Sequence, residues 1–266
     1  MFFMQLIRTV KDLYQLETEI ARHRMSGYKF LYRGQSNASW PLQTTLSRLL
    51  RREINYDNIV WEKYMELFQR FKTSAIDEGT LSYKPGKEND DFFILTMLRH
   101  LGFPCNLLDW SASLHTAILF ACSENLDTDG ALWILSTRQL SNSIPFNRSP
   151  FEIDEPMMVC KEFDLIPPLK SISGFPLARL RRLRQSGFIS IIPHKYLLDN
   201  VESLIDRNDN LCKIIIPATL KVDILNDLDP RMEVRRHIMV ESKSDNDYLQ
   251  LVVNDLSSEL KSIITK

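Results

Sequence analysis

His100-Leu101-Gly102-Phe103-Pro104-Cys105-Asn106-Leu107-Leu108-Asp109-Trp110-Ser111 is the stretch on which the fold turns. Upstream of it, residues 92–100 carry a helical apolar pattern that stops at Gly102, with Pro104 beyond, as a helix C-cap requires. Asn106-Leu107-Leu108 reads as a short strand, and Asp109-Trp110 forms a polar, aromatic tip after it. Ser113 then stands where an N-cap belongs, ahead of an apolar helix over residues 114–123. Helix, strand and helix follow one another with short joints, which points to a mixed fold.

The flanking chain agrees. Residues 8–23 place Val10, Leu13, Leu16 and Ile20 at helical spacing, and residues 61–71 carry a second apolar stripe of the same period. Phe30-Leu31-Tyr32 reads as a buried strand closed by a turn at Arg33-Gly34, and residues 131–135, 188–192 and 213–216 read as strands. Residues 79–91 are turn-rich and acidic, a surface loop. Residues 141–176 hold six of the twelve prolines and little periodicity, the mark of a long functional loop. With no repeat and no clean linker, residues 1–266 are expected to form one α+β domain. Its core would be a mixed, mostly antiparallel sheet flanked by helices.

Bulk properties exclude several classes. The 266 residues are 44% hydrophobic and 25% charged with a net charge of −1, which argues against a wholesale polyanion binder. The 8 glycines are too sparse to write a GxGxxG fingerprint or a Walker A loop, so the common nucleotide folds are out. Cys105, Cys122, Cys160 and Cys212 include no CxxC pair, and the histidines include no HxxxH, so no metal is expected and the thiols read as reduced. The opening apolar run is too short for a signal peptide, and no stretch approaches a membrane span. A cytoplasmic protein without membrane attachment is the expectation.

Three stretches set a glycine beside polar residues at an apolar run. In Tyr32-Arg33-Gly34-Gln35, followed by Trp40, an arginine at a strand end offers a charged fork suited to phosphate or carboxylate. A sheet-edge cap or an internal ion pair explains it equally well. In Leu108-Asp109-Trp110-Ser111, an acid sits beside an aromatic shelf on which a base or nicotinamide ring can stack. Asp109 serves equally as a helix cap or as a partner for Arg33. Arg179, Arg181, Arg182 and Arg184 crowd ahead of Gln185-Ser186-Gly187-Phe188, the densest basic cluster of the chain. They suit a phosphate backbone or a solvated helix face.

Taken in order, these blocks resemble the FRG domain, named for its aromatic-Arg-Gly start. The residues that carry the resemblance are Tyr32-Arg33-Gly34-Gln35, Trp40, Arg48, Gly102, Pro104, Leu107-Leu108-Asp109-Trp110-Ser111, Ala117, Phe120-Ala121 and Gln185-Ser186-Gly187-Phe188. They span residues 28–192, with residues 193–266 read as part of the same domain. Two departures stand out: Cys105-Asn106 where the family usually has Thr-Arg, and Arg99 where it usually has Gln.

A looser similarity links the same blocks to arginine-class ADP-ribosyltransferases, which implies an ADP-ribosyltransferase-like sheet. Arg33 falls at the first-strand Arg, Ser111 with Ala117, Phe120 and Ala121 at the second motif, and Gln185 at the start of the third. Gly187 replaces the glutamate that the third motif carries, and Asp109 is the residue that can supply a carboxylate instead. The resemblance implies an enzyme that splits NAD, used as substrate without a metal, and transfers ADP-ribose to a macromolecule. Asp109, Gln185 and Arg33 would be catalytic. Arg33, Gly34, Gln35, Trp40, Trp110 and Ser111 would hold the dinucleotide. The basic run favours RNA or DNA as acceptor over protein. Such chains look like toxins of toxin–antitoxin or phage-defence modules, so a neutralising antitoxin is an implied partner. A non-catalytic nucleotide or nucleic-acid binding module is the alternative, and so is a protein-interaction domain using residues 141–176.

Overall fold

Strands that alternate their side chains between two apolar layers place a sheet at the centre of the molecule. β1 (Phe30–Gln35) sends Phe30 and Tyr32 to one layer and Leu31 to the other. The computed structural model describes residues 6–27, 29–51, 58–77, 90–137, 149–154, 159–161, 187–205, 210–232 and 247–265. It adds β2 (Leu107–Ser111), β3 (Gly130–Ser136), β4 (Val159–Lys161), β5 (Gly187–Ile191) and β6 (Leu211–Ile216). The sheet runs β4-β5-β2-β1-β3-β6, and each of these ladders is antiparallel. A single parallel bridge joins Leu6 to Ile215 at the β6 edge. The class is α+β, as expected.

The described helices are α1 (Val10–Met25), α2 (Thr45–Leu50), α3 (Asn58–Asp77), α4 (Asp90–His100), α5 (Leu114–Cys122), α6 (Val201–Ile205), α7 (Ala218–Met232) and α8 (Asp247–Ile264). One layer joins Leu13, Leu16 and Ile20 of α1 to Ala117, Ile118 and Ala121 of α5 and to Ile224 and Leu228 of α7. The other layer is larger. It brings Tyr64, Phe68 and Phe71 of α3 together with Phe92, Leu95 and Leu98 of α4 and Val253, Leu256 and Leu260 of α8. Residues beyond 193 therefore supply an edge strand and two packing helices to the same sheet.

Two local expectations need correction. Asp109, Trp110 and Ser111 are not a tip beyond the strand. They lie inside β2, paired with Ile189, Phe188 and Gly187 of β5. Likewise no turn interrupts Arg33-Gly34, because β1 continues to Gln35 against β3. Caps behaved as read: Ser113 Oγ accepts from the Thr116 N–H at 3.2 Å, and Gly102 closes α4 at φ +88. Of residues 79–91 and 141–176, only 90–91, 149–154 and 159–161 are described, so most of those two expected loops lies outside the described residues.

Burial sets an alkaline limit on this fold. Desolvation pushes the Cys122 thiol up to about 12, and it raises Cys105, Tyr32 and Tyr64 as well. A group raised in the folded state contributes stability that is complete below its unfolded pKa and is lost as pH rises through the folded one. Lys221 and Arg33 act in the opposite direction, since burial lowers both their pKa values. Four groups oppose two. The urea midpoint should thus stay level to about pH 8.5, where free thiols begin to ionise, and fall above it. Cys122→Ala should flatten part of that fall.

Candidate functional site

The seam between β1 and β2 is where the sheet opens. β1 pairs with β3 over six residues and β2 with β5 over five, yet β1 and β2 share the single pair Tyr32 with Ser111. Arg33 is the next residue along β1. Its Nη1 donates to the backbone carbonyl of Asp109 at 2.8 Å, replacing with a side chain the ladder bond that the splayed strand cannot make. Opposite it on β3 stands Trp133, over whose ring Lys213 of β6 places its ammonium 4.9 Å from the centroid.

Two helices bring further cations to this seam. Arg99, near the end of α4, lays Nη1 against the Asp109 carboxylate. Arg48 belongs to α2, and the start of α2 is stitched to the residue ahead of β2: Leu46 N–H donates to the Cys105 carbonyl at 3.1 Å, and the Cys105 N–H donates to Thr45 Oγ1 at 2.9 Å. Burial first, and then the positive charges of Arg48 and Arg99, lower the Arg33 pKa to about 10. The guanidinium therefore remains charged at neutral pH. Its Nε is buried without a hydrogen-bond partner among the described residues. Among the described residues, Arg33, Arg48 and Arg99 thus lie near the Asp109 carboxylate at this corner.

Asp109 is the solvent-side member. Its side chain is 56% exposed while that of Arg99 is 9% exposed. It neither caps α5, which Ser113 does, nor forms its ion pair with Arg33, whose described contact is to the Asp109 backbone. The structure thus brings Arg33 and Asp109 together, with Ser111 beside them on β2.

The other expected residues divide. Trp110 is 3% exposed, packed in the larger core with its indole N–H on Ser190 Oγ at 3.0 Å, so its ring is no open shelf. Gln35 is also buried: its Oε1 accepts from the Trp133 indole and its Nε2 donates to the Pro41 carbonyl at 3.2 Å. Ser111 accepts from the Ser113 N–H at 3.0 Å and shapes the turn into α5. Gly34 faces the backbone of α5 at Ala117 and Ala121, which is helix packing and not ligand approach. Trp40, 40% exposed, is the aromatic ring of the set that remains open. Gln185 and Arg179, Arg181, Arg182 and Arg184 lie outside the described residues.

In the sequence Arg99 is only a departure from the family pattern and Arg48 only a motif match, and neither points to a site. Charge in sequence gave no reason to group residues 33, 48 and 99; their meeting depends on α2 and α4 folding over the same seam. Among the described residues no group of three His, Cys, Asp or Glu could hold a metal, and no helix is long and apolar enough to cross a membrane. Residues 28–130 match the family model described as the FRG domain, a span that contains Arg33, Arg48, Arg99 and Asp109. No curated protein and no solved structure matches the chain.

Proposed function

This chain carries an FRG domain at residues 28–130, and we propose that it is an ADP-ribosyltransferase that consumes NAD. The reading rests on one observation: an exposed carboxylate, Asp109, stands against the buried guanidinium of Arg99, with Arg33 beside it, at a seam where, among the described residues, the two strands share a single pair. Such a corner takes the diphosphate of a dinucleotide without a glycine loop, because guanidinium forks match phosphate oxygens. The carboxylate beside it is the group needed where positive charge develops at the ribose carbon.

In the proposed reaction the bond between ribose C1′ and the nicotinamide nitrogen breaks, and its electron pair leaves with neutral nicotinamide. A hydroxyl or amine of the acceptor bonds to C1′ and loses its proton. Asp109 stabilises the oxocarbenium-like transition state and Arg33 fixes the diphosphate, while Trp40 offers a ring face for stacking. Gln185 is assigned to the ribose from its place in the sequence. The basic run Arg179, Arg181, Arg182 and Arg184 favours a nucleic-acid acceptor over a protein, and with it a toxin that an antitoxin partner restrains.

A second reading, a nucleotide-binding module without chemistry, draws on Gly187. It sits opposite Ser111 on β5, close to where the transferase motif carries its glutamate. Incubation with labelled NAD and separate RNA, DNA and protein pools decides between them. Wild type should label one pool, and Arg33→Ala and Asp109→Ala should each lower the rate by about 10²–10³, the usual loss for one electrostatic group at a transition state. No label from wild type, or full labelling by both variants, would leave the binding module standing.

A further inference from the structure

Lys213, Trp133 and Arg33 stand side by side across β6, β3 and β1, because Trp133 pairs with both of the others. Paired residues of antiparallel strands share a face, so these three and Gln35, two places beyond Arg33, point the same way. The segment that leaves β1 is tied back to this row. Lys213 Nζ donates to the Ala38 carbonyl at 2.7 Å, and Gln35 Nε2 donates to the Pro41 carbonyl at 3.2 Å. Residues 38–41 are thereby held to the sheet face that bears Arg33.

Every backbone N–H from Ala38 to Leu42 is used. Ala38 donates to the Asp129 carbonyl at 2.6 Å, Ser39 to Asn37 Oδ1 at 2.8 Å and Trp40 to the Asn37 carbonyl at 3.2 Å. Pro41 has no N–H. Leu42 is 0% exposed, so its N–H needs an acceptor, and Glu202 Oε1 of α6 supplies one at 2.7 Å. A carboxylate acceptor makes this the strong bond of the set, roughly twice a neutral one. Glu202 is itself fixed: Asn200 Oδ1 accepts from its N–H at 2.9 Å, and the adjoining Val201 is buried in the same core layer as Leu42. Between the ties at Ala38 and Leu42 stands Trp40, 40% exposed. An exposed indole on so fixed a chain has lost its backbone freedom before any ligand arrives, so stacking on it carries little ordering cost.

We infer that Glu202 is a positioning residue for nucleotide binding: its bond to the Leu42 N–H sets Trp40 as a preformed platform for a planar ring of the nucleotide. That role rests on the nucleotide reading above and extends its site. Glu202 lies outside residues 28–130, the span that matches the family model, so the chain beyond that span completes the platform. Glu202 touches no ligand. It acts through the loop, by fixing where the indole stands.

Hydrogen exchange of the Leu42 amide, followed by NMR on the full chain with no ligand present, tests the hold, and calorimetric titration with NAD tests its purpose. Glu202→Ala should speed Leu42 exchange about tenfold and leave the Ala38 amide, held by Asp129, near its wild-type rate. Trp40→Ala should weaken NAD binding about tenfold or more, the loss of one ring stack. Glu202→Ala should weaken it about fivefold, and Glu202→Gln, whose amide oxygen can still accept from Leu42, should recover most of both losses. The double variant Glu202→Ala/Trp40→Ala should bind no worse than Trp40→Ala, because a positioning residue has no effect once the platform is gone. Full additivity of the two losses overturns the inference. So does a Leu42 amide that exchanges no faster in Glu202→Ala, or equal NAD affinity in Glu202→Ala and wild type. No NAD binding by wild type overturns the nucleotide reading and this role with it, whereas binding that ignores Glu202 overturns this role alone.

Discussion

Alanine at position 34 is expected to destabilise the protein by about 3 kcal/mol or more, near the upper end for overpacking a core. Gly34 lies in the middle of β1, where β propensity alone would favour any other residue. Its reason is on the other side of the strand. A Cβ there would stand well inside contact distance of the Ala117 carbonyl oxygen, and 2.7 Å from the Ala121 backbone nitrogen. Both are main-chain atoms of α5, so no side-chain rotation relieves them. Either the helix lifts from the sheet or β1 bends away, and both open the layer that holds Tyr32, Ala117 and Ile118. Urea unfolding of Gly34→Ala, followed by fluorescence and circular dichroism, should show a lowered midpoint. A midpoint within experimental error of wild type would mean that α5 does not sit this close.

The same contact explains why an arginine and a glycine are neighbours here. Consecutive residues of a strand face opposite layers. Arg33 points to the layer formed with α2 and α4, where the charged corner lies, and Gly34 lets α5 close on the reverse side. The close approach of α5 also fixes the Ser111–Ser113 turn that precedes it, and so the end of β2 that bears Asp109. A packing residue thereby positions the acid without touching any ligand.

Legibility in the sequence followed the range of each interaction. Periodicity and caps depend on residues a few places apart, so α1, α3, α4 and α5, with the end signals Gly102 and Ser113, could be read directly. The strands at 131–135, 188–192 and 213–216 were placed within one or two residues of their described limits. What misled was polarity within a strand. By local sequence Asp109 marks the end of an apolar run, yet an acid fits inside β2 because its side chain faces solvent and a cation. Trp110 adjoins a charge, which suggests an exposed shelf, yet it turns inward to Ser190, 80 positions away. Helices α7 and α8 carry no local sign of where their apolar faces pack. The corner of Arg33, Arg48 and Arg99 was the least legible, because it exists only once three elements have folded together.

Lys221→Met should be the second severe substitution, lowering stability by about 3 kcal/mol although methionine fits the space. Lys221 is 0% exposed, an uncommon state for a lysine. Its ammonium donates to three backbone carbonyls, at 2.6 Å to Ser36, 2.8 Å to Asn125 and 3.1 Å to Glu124. Each described donor distance is good, so its three protons are all used. The carbonyls belong to two loops, one leaving β1 and one leaving α5, and Asn125 holds the left-handed φ of +46 in the second. Methionine removes the donors and leaves the acceptors. The Asn125 carbonyl keeps the Thr128 N–H, and the Ser36 carbonyl keeps a long bond from the Thr128 hydroxyl. The loss therefore falls most heavily on the Glu124 carbonyl, at about 1–3 kcal/mol for a buried group left without a partner. Part of that is recovered, because the desolvation that now lowers the lysine's pKa vanishes with the charge. Proximity of Asp127 and Asp129 favours the ammonium, so the charged form is the one that the loops are built around. The loop after β1 carries Trp40, so the damage should reach the proposed ring-stacking surface as well as the melting temperature. Calorimetric unfolding of Lys221→Met and Lys221→Arg separates the causes. Methionine tests the lost donors, and arginine, with its charge kept but a bulkier head, tests the fit of the cage. If Lys221→Met unfolds at the wild-type temperature, the three carbonyls do not depend on the ammonium.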